Sequence, residues 1–461
     1  MYSASEERER KPTENLLQPF PDLHMCSAFA SVRFFRCLIP VAVSVCGAGA
    51  LAADWPHFLG PSYNATSTES GLHWQWPEGG PRKLWEFEKG RGWACPTISE
   101  GKLVLLHRLS EREAVECLDP VTGKPVWRFD YAAPYRDRYG ASDGPRTSAV
   151  IKDGRVFTYG VTGLLHCLDL QTGKLIWKKD IDAELSLIPN FFGCGSTPLL
   201  LGDKVIVNVG AKDDLCVIAF DAATGKEQWR ARHEWGGSYA SPIPATIHGR
   251  ECVLVFAGGE SRPPTGGLLT IDAKTGEVLN ATPHRADIPE SVNASSPALD
   301  GNRVFVTEAY GAGGRMVEIA SDFSAKPAWH AEKFGAYFMT PIIRDGVVYG
   351  FDGQSSRLAE LVAYQAEDGK ELWRDDLGGK FGKGSLLLVD GRFLALGEFG
   401  ELLQLDLSRN GAKVLHRTKL FHAPETWTLP ALSNGLLYVS QNERSSDGQS
   451  PRVICYDLRG K

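Results

Sequence analysis

Two cations, Arg146 and Lys383, and a scatter of oxygen-bearing side chains are the residues of this chain best suited to chemistry. Arg146 lies in Gly144-Pro145-Arg146 and Lys383 in Lys383-Gly384-Ser385. A guanidinium grips a carboxylate with a planar fork and an ammonium adds a compact charge, so the two near one cavity would receive an anionic ligand. The competing reading pairs each cation with a nearby carboxylate, such as Asp143 or Glu425. Asp137, Asp143, Glu184 and Asn293 carry the oxygens that a calcium ion would need if they converged, although nothing in their spacing requires it. His57, His233, His284 and His422 stand alone and read as surface or capped histidines. The sequence lacks His-Glu-x-x-His, Gly-x-Ser-x-Gly and phosphate-loop motifs, which disfavours the common hydrolase and nucleotide classes. No residue is assigned as catalytic and no metal site is assigned.

The elements that must position these residues are repeated along the chain. Leu118 to Trp127 reads LDPVTGKPVW, Leu168 to Trp177 LDLQTGKLIW, Phe220 to Trp229 FDAATGKEQW and Ile271 to Asn280 IDAKTGEVLN. Weaker copies begin at Ile319, Tyr364 and Leu405, and an eighth begins at Tyr456. A period of about fifty residues marks a repeat architecture. Between Thr147 and Trp177 an apolar run, an Asp153-Gly154 turn, a second run, a Thr162-Gly163 turn and a third run precede the motif. That grammar gives three strands joined by hairpins, with a fourth strand ending near the tryptophan. The motif aspartate accepts from turn amides and the glycine takes positive φ.

The fold class expected is all-β: an eight-bladed propeller of four-stranded antiparallel blades. An orphan strand, Leu84-Trp85-Glu86-Phe87, precedes the first complete blade, while the eighth motif stops at Lys461. Joining them closes the ring and removes two open sheet edges. In such a ring the channel is faced by the innermost strand of each blade and the loop leading into it. Trp93, Arg146, Asn190, Tyr239, Asn293, Phe338, Lys383 and Trp427 are therefore the funnel candidates. Arg146, Lys383, Asn293, Tyr239 and Trp427 are the cofactor-binding candidates among them.

The motif (A/C/F/I)-x-D-x-x-T-G-K-x-x-W resembles the repeat of the pyrroloquinoline-quinone (PQQ) propellers, a tryptophan-docking family. Its members include quinoprotein dehydrogenases and a non-enzymatic lipoprotein of the outer-membrane barrel assembly machinery. Trp55-Pro56-His57-Phe58-Leu59-Gly60-Pro61, Gly144-Pro145-Arg146 and Lys383 to Leu388 look like a group of exported bacterial propellers abundant in planctomycetes. On the dehydrogenase side the resemblance implies PQQ and calcium as cofactors, an aspartate base and, as no Cys-x-x-Cys-His haem site is present, an external electron acceptor. On the other side it implies no cofactor, and a protein or saccharide partner. The vicinal cysteine pair of many quinoproteins is missing here. Function is thus expected to be binding or scaffolding through the funnel or loop face, with a PQQ- and calcium-dependent alcohol or sugar dehydrogenase as the alternative.

The first 53 residues differ from the rest. A basic stretch with Arg33 and Arg36 leads into the apolar run Cys37 to Ala53, too short and too rich in small residues to span a membrane. Residues 1–53 are read as an extension and signal peptide, cut near Ala52 or Ala53, with Met25 as an alternative start. Residues 54–461 are read as one propeller domain, periplasmic or secreted, with no transmembrane span. A net charge of −6 without basic runs argues against nucleic-acid binding. Seven cysteines follow the leader, an odd number without CxxC spacing, so at least one thiol is unpaired. Cys117, Cys167 and Cys455 fall at one repeat position and read as small buried residues.

Overall fold

The computed structural model describes residues 53–459 except residues 290 and 380. The expected leader up to Ala52 and the final Gly460-Lys461 lie outside the described residues.

The chain forms eight four-stranded antiparallel sheets. Blade two shows why. Val150–Lys152, Arg155–Tyr159 and Leu164–Asp169 are joined by short turns, and the second and third strands are buried on both faces, which explains their unbroken apolar runs. The fourth strand, Leu175–Asp180, alternates half-buried and exposed residues because one face meets water. This strand begins just before Trp177 and continues past it, so the expectation that it ends near the tryptophan is corrected. The Thr172-Gly173-Lys174 turn returns the chain directly into it.

The ring is closed by a composite blade, in which Arg82–Glu88 pairs antiparallel with Arg452–Asp457. Trp85 stands opposite Cys455, as Trp127 stands opposite Cys117 and Trp177 opposite Cys167. The small thiol leaves room for the indole across the strand. The seven cysteines among the described residues are all unpaired.

Each motif tryptophan ties its blade to the next. The indole N–H of Trp127 donates to Leu170 O at 2.9 Å, and those of Trp85 and Trp177 donate to Pro120 O and Ala222 O. The ring of Trp127 covers Gly173, whose φ is 69° and where an added Cβ would lie 2.6 Å from the indole. Gly173→Ala is therefore expected to cost about 2–4 kcal/mol, combining left-handed strain with overpacking. A urea-denaturation series reads the loss as a lowered midpoint at unchanged slope.

A second belt runs around the inner rim. The amide of Cys95 donates to Ser148 Oγ, Ser148 to Thr197 Oγ1, Thr197 to Ser241 Oγ, Ser241 to Ser296 Oγ and Ser296 to Thr340 Oγ1, all at 2.9–3.1 Å. Each of these five hydroxyls lies two residues before an innermost strand. The amides there have no ladder partner within their own blade, and the neighbouring blade's hydroxyl satisfies them.

The segment after Ala53 crosses one end of the ring before it reaches the composite blade. Trp55 exchanges two backbone hydrogen bonds with Ile98 in blade one, and Pro56 O accepts from Ile151 N in blade two. Tyr63 Oη donates to Leu200 O in blade three, and Ala65 O accepts from Leu388 N in blade seven. The Glu69 carboxylate accepts from the amides of Asn434 and Gly435 in blade eight. Trp55 and Leu59 are buried. His57 and His284 are buried as well, 1% and 5% exposed, and of the two readings, surface or capped, they fit the second, with ring nitrogens on Leu59 N and Gly313 O.

Candidate functional site

The axial channel is a cup with its floor at the crossing segment. Phe58 and Leu59 close the bottom, the hydroxyls of Ser148, Thr197, Ser241 and Thr340 ring the wall, and aromatic side chains surround the mouth. The loops before the innermost strands supply Trp93, Arg146, Phe192, Tyr239, Tyr337, Phe338 and Trp427. Trp93 and Trp427 are 5.0 Å apart at 40°, Phe338 and Trp427 5.3 Å apart at 34°, and Phe192 and Tyr239 5.7 Å apart at 51°. The rings are splayed, as expected for quadrupoles that avoid face-to-face contact.

Arg146 lines this mouth, Lys383 lies behind it against two of its rings, and both cations are already matched. The Arg146 guanidinium lies 4.8 Å from the Trp93 ring and 5.0 Å from that of Phe192. Its Nη2 donates to Asp137 Oδ2 at 2.8 Å, with Arg146 8% and Asp137 0% exposed at the side chain. Burial lowers the pKa of this guanidinium, against the opposing pull of Tyr135 and Asp137. Lys383 Nζ lies 4.5 Å from Tyr337, 4.6 Å from Trp427 and 3.4 Å from Glu398 Oε1. Trp427 Nε1 donates to the same Glu398 oxygen at 2.8 Å. The carboxylates that answer the cations are thus Asp137 and Glu398, where the sequence pointed to Asp143 and Glu425. Asp143 instead accepts from the Asp137 amide and pairs with Arg136. Burial, with Glu443 and Glu398 nearby, raises the pKa of Glu425.

Tyr239 lines the cup, and its oxygen accepts from Phe192 N at 2.7 Å; burial pushes the phenol pKa up. Asn293 turns away from the cup. Its amide donates to Phe256 O and Ala257 O, while Val292 and Ala294 face the channel. Asn190 lies between blades two and three, donating to Gly237 O. Phe192, Tyr337, Glu398 and the hydroxyl belt escaped the sequence reading. The belt did leave a signal, a Ser or Thr two residues before five of the innermost strands.

The four oxygen-bearing residues considered for calcium do not fit that ion. Asp137 is committed to Arg146 and to the amides of Tyr139 and Ala141, and Glu184 sits on the short helix Ile181–Leu185 beside Lys179. Asn293 presents donors to carbonyls. Among the described residues no three His, Cys, Asp or Glu side chains gather as metal ligands would. A carboxylated quinone meets a similar obstacle, since each cation that would receive it holds a buried carboxylate.

The family model described as outer membrane protein assembly factor BamB matches residues 111–361 and 357–459. The chain belongs to the BamB family. BamB of Burkholderia pseudomallei is 26% identical over 384 residues, covering 80% of this chain and 88% of that protein. The quinone-dependent alcohol dehydrogenase subunit of Komagataeibacter europaeus is 32% identical over 142 residues, but this stretch is only 19% of that protein. In fold, this BamB-family ring is similar to BamB of Moraxella catarrhalis, with a TM-score of 0.56, 15% identity and coverage of 82% of this chain and 98% of that one. It is also similar to a quinohemoprotein alcohol dehydrogenase of Pseudomonas putida, with a TM-score of 0.65, 14% identity and coverage of 89% and 81%.

Proposed function

We propose that this chain is an exported propeller that binds a ligand or partner at the mouth of its axial cup, rather than oxidising one. The observation that carries this reading is the pairing of Arg146 with Asp137 and of Lys383 with Glu398. The mouth is polar and aromatic but electrically balanced, so it favours recognition over capture of a polyanionic cofactor. Export follows the leader expected over residues 1–53, with cleavage near Ala52 or Ala53 and a periplasmic or secreted destination. The relative named as an assembly factor is matched along most of its length, which supports a protein partner on the loop face as a companion role.

The second reading, a PQQ- and calcium-dependent dehydrogenase with an external electron acceptor, is favoured by the 142-residue likeness to the quinone alcohol dehydrogenase subunit. One experiment separates the two. The mature chain from Asp54 is titrated with PQQ and calcium while quinone absorbance and dye-linked alcohol oxidation are followed together. The expected result is no turnover. Saturable quinone binding with turnover that vanishes in Arg146→Ala or Lys383→Ala would replace the binding reading with the dehydrogenase.

A further inference from the structure

We infer that the axial cup is built for a neutral saccharide ring, a conclusion that rests on the binding reading above and adds the chemical class of the ligand. Three features of the cup lead to it. The first is its surplus of hydrogen-bond donors. Trp93 Nε1 and Arg146 Nε are buried and have no partner among the described residues. They are neighbours, because the guanidinium lies over the Trp93 ring at 4.8 Å. Deeper in the cup, Ser148, Thr197, Ser241 and Thr340 are at most 4% exposed and each uses an oxygen lone pair to accept a neighbouring amide. The Ser148 hydroxyl also meets the Cys95 thiol, and the four oxygens give the lower wall a polar lining. Leaving buried donors unmet is costly, and a ligand rich in acceptor oxygens recovers that cost.

The second feature is shape. Trp427 leans against Trp93 and Phe338 at 40° and 34°. The three rings pack into one aromatic surface along the cavity, and its free edge suits a puckered ring whose axial C–H groups lie against it while its equatorial oxygens point outward. The third is charge. Each cation is neutralised within the wall, so the cup offers no unmatched charge to a phosphate or a carboxylate. A neutral pyranose combines all three demands: apolar C–H faces, ring and hydroxyl oxygens that accept, and no net charge. Phe58 and Leu59 line the other end of the cup.

The test uses the mature chain from Asp54, with intrinsic tryptophan fluorescence and calorimetry read during titration with methyl β-glucopyranoside, cellobiose and chitobiose. At least one sugar is expected to bind saturably and to shift the tryptophan emission. Trp427→Ala is expected to weaken binding at least tenfold. Trp93→Phe keeps an aromatic face and the fold but removes the unmet N–H, and is expected to weaken binding several-fold with the melting temperature little changed. If none of the three sugars binds at tens of millimolar, or if binding is unchanged in Trp93→Phe and Trp427→Ala, the inference is overturned. An anilinonaphthalene sulfonate dye is titrated in parallel. Dye binding lost in Trp427→Ala, without sugar binding, sinks the saccharide class and leaves the cup as a binding site; absence of both removes the binding reading as well.

Discussion

Asp137→Ala is expected to lower the unfolding free energy by about 3–5 kcal/mol, the range for breaking a buried ion pair by removing one partner. The side chain of Asp137 is fully buried, and it does two things at once. One oxygen meets Arg146 and the other accepts the amides of Tyr139 and Ala141, which shapes the loop that leads into blade two. Without it the guanidinium remains between Trp93 and Phe192 with only the carbonyls of Ser142 and Gly144 as partners. Replacing the pair together, as Asp137→Ala with Arg146→Met, is expected to recover most of the loss, because no uncompensated charge then stays buried. Chemical denaturation of the three proteins checks the order: wild type, then the double variant, then Asp137→Ala. Arg136→Ala serves as the control. Its ion pairs with Glu111 and Asp143 are exposed on the arginine side, so no measurable change is expected.

Acidification is expected to loosen the ring through the segment that floors the cup. His57 is buried, its Nδ1 accepts from Leu59 N at 3.2 Å, and its ring touches Phe58 and Tyr63. Nε2 has no partner among the described residues. Burial holds the imidazole neutral and pulls its pKa down to about 3. The folded chain therefore binds fewer protons at this site than the unfolded chain between that value and the ordinary 6.5. Stability from this group is complete above pH 6.5 and is lost as pH falls towards 3, by about 5 kcal/mol at most. His166 and His284, each pulled down to about 4 by burial, act in the same direction. Denaturation midpoints between pH 7 and pH 4 should decline steeply. His57→Asn keeps an acceptor for the Leu59 amide but does not titrate, so its midpoints should fall less over the same range. An unchanged slope would mean that His57 is solvated in the folded protein.

Much of the ring was legible because its punctuation is local. An aspartate that binds turn amides, a glycine at positive φ and a tryptophan on the next strand act within about ten residues, and their recurrence at Asp119, Asp169, Asp221 and Asp272 marks the blades. Trp85, read as part of an orphan strand, found its place because the same small-residue partner, Cys455, awaited it across the sheet. The loops were harder. Strand alternation says which side a residue faces, but it does not extend into the irregular segments before each innermost strand. Val292 and Ala294 therefore face the cup while Asn293 does not, and Tyr337 joins Phe338 at the mouth. Asp137 and Asp143 share one loop, and only its folded path decides which of them meets Arg146.

The class of fold, the number of blades and the way the ring closes were legible from the sequence alone. These follow from short-range sterics and from a pattern repeated often enough to be read. The tertiary structure alone decided that each cation is neutralised, that a hydroxyl belt joins the inner rim, and that Trp55 to Leu59 turn an open channel into a cup. Each of these depends on side chains from different blades or from the far end of the chain. Such residues meet only when the ring is closed, and nothing in their local surroundings records the meeting.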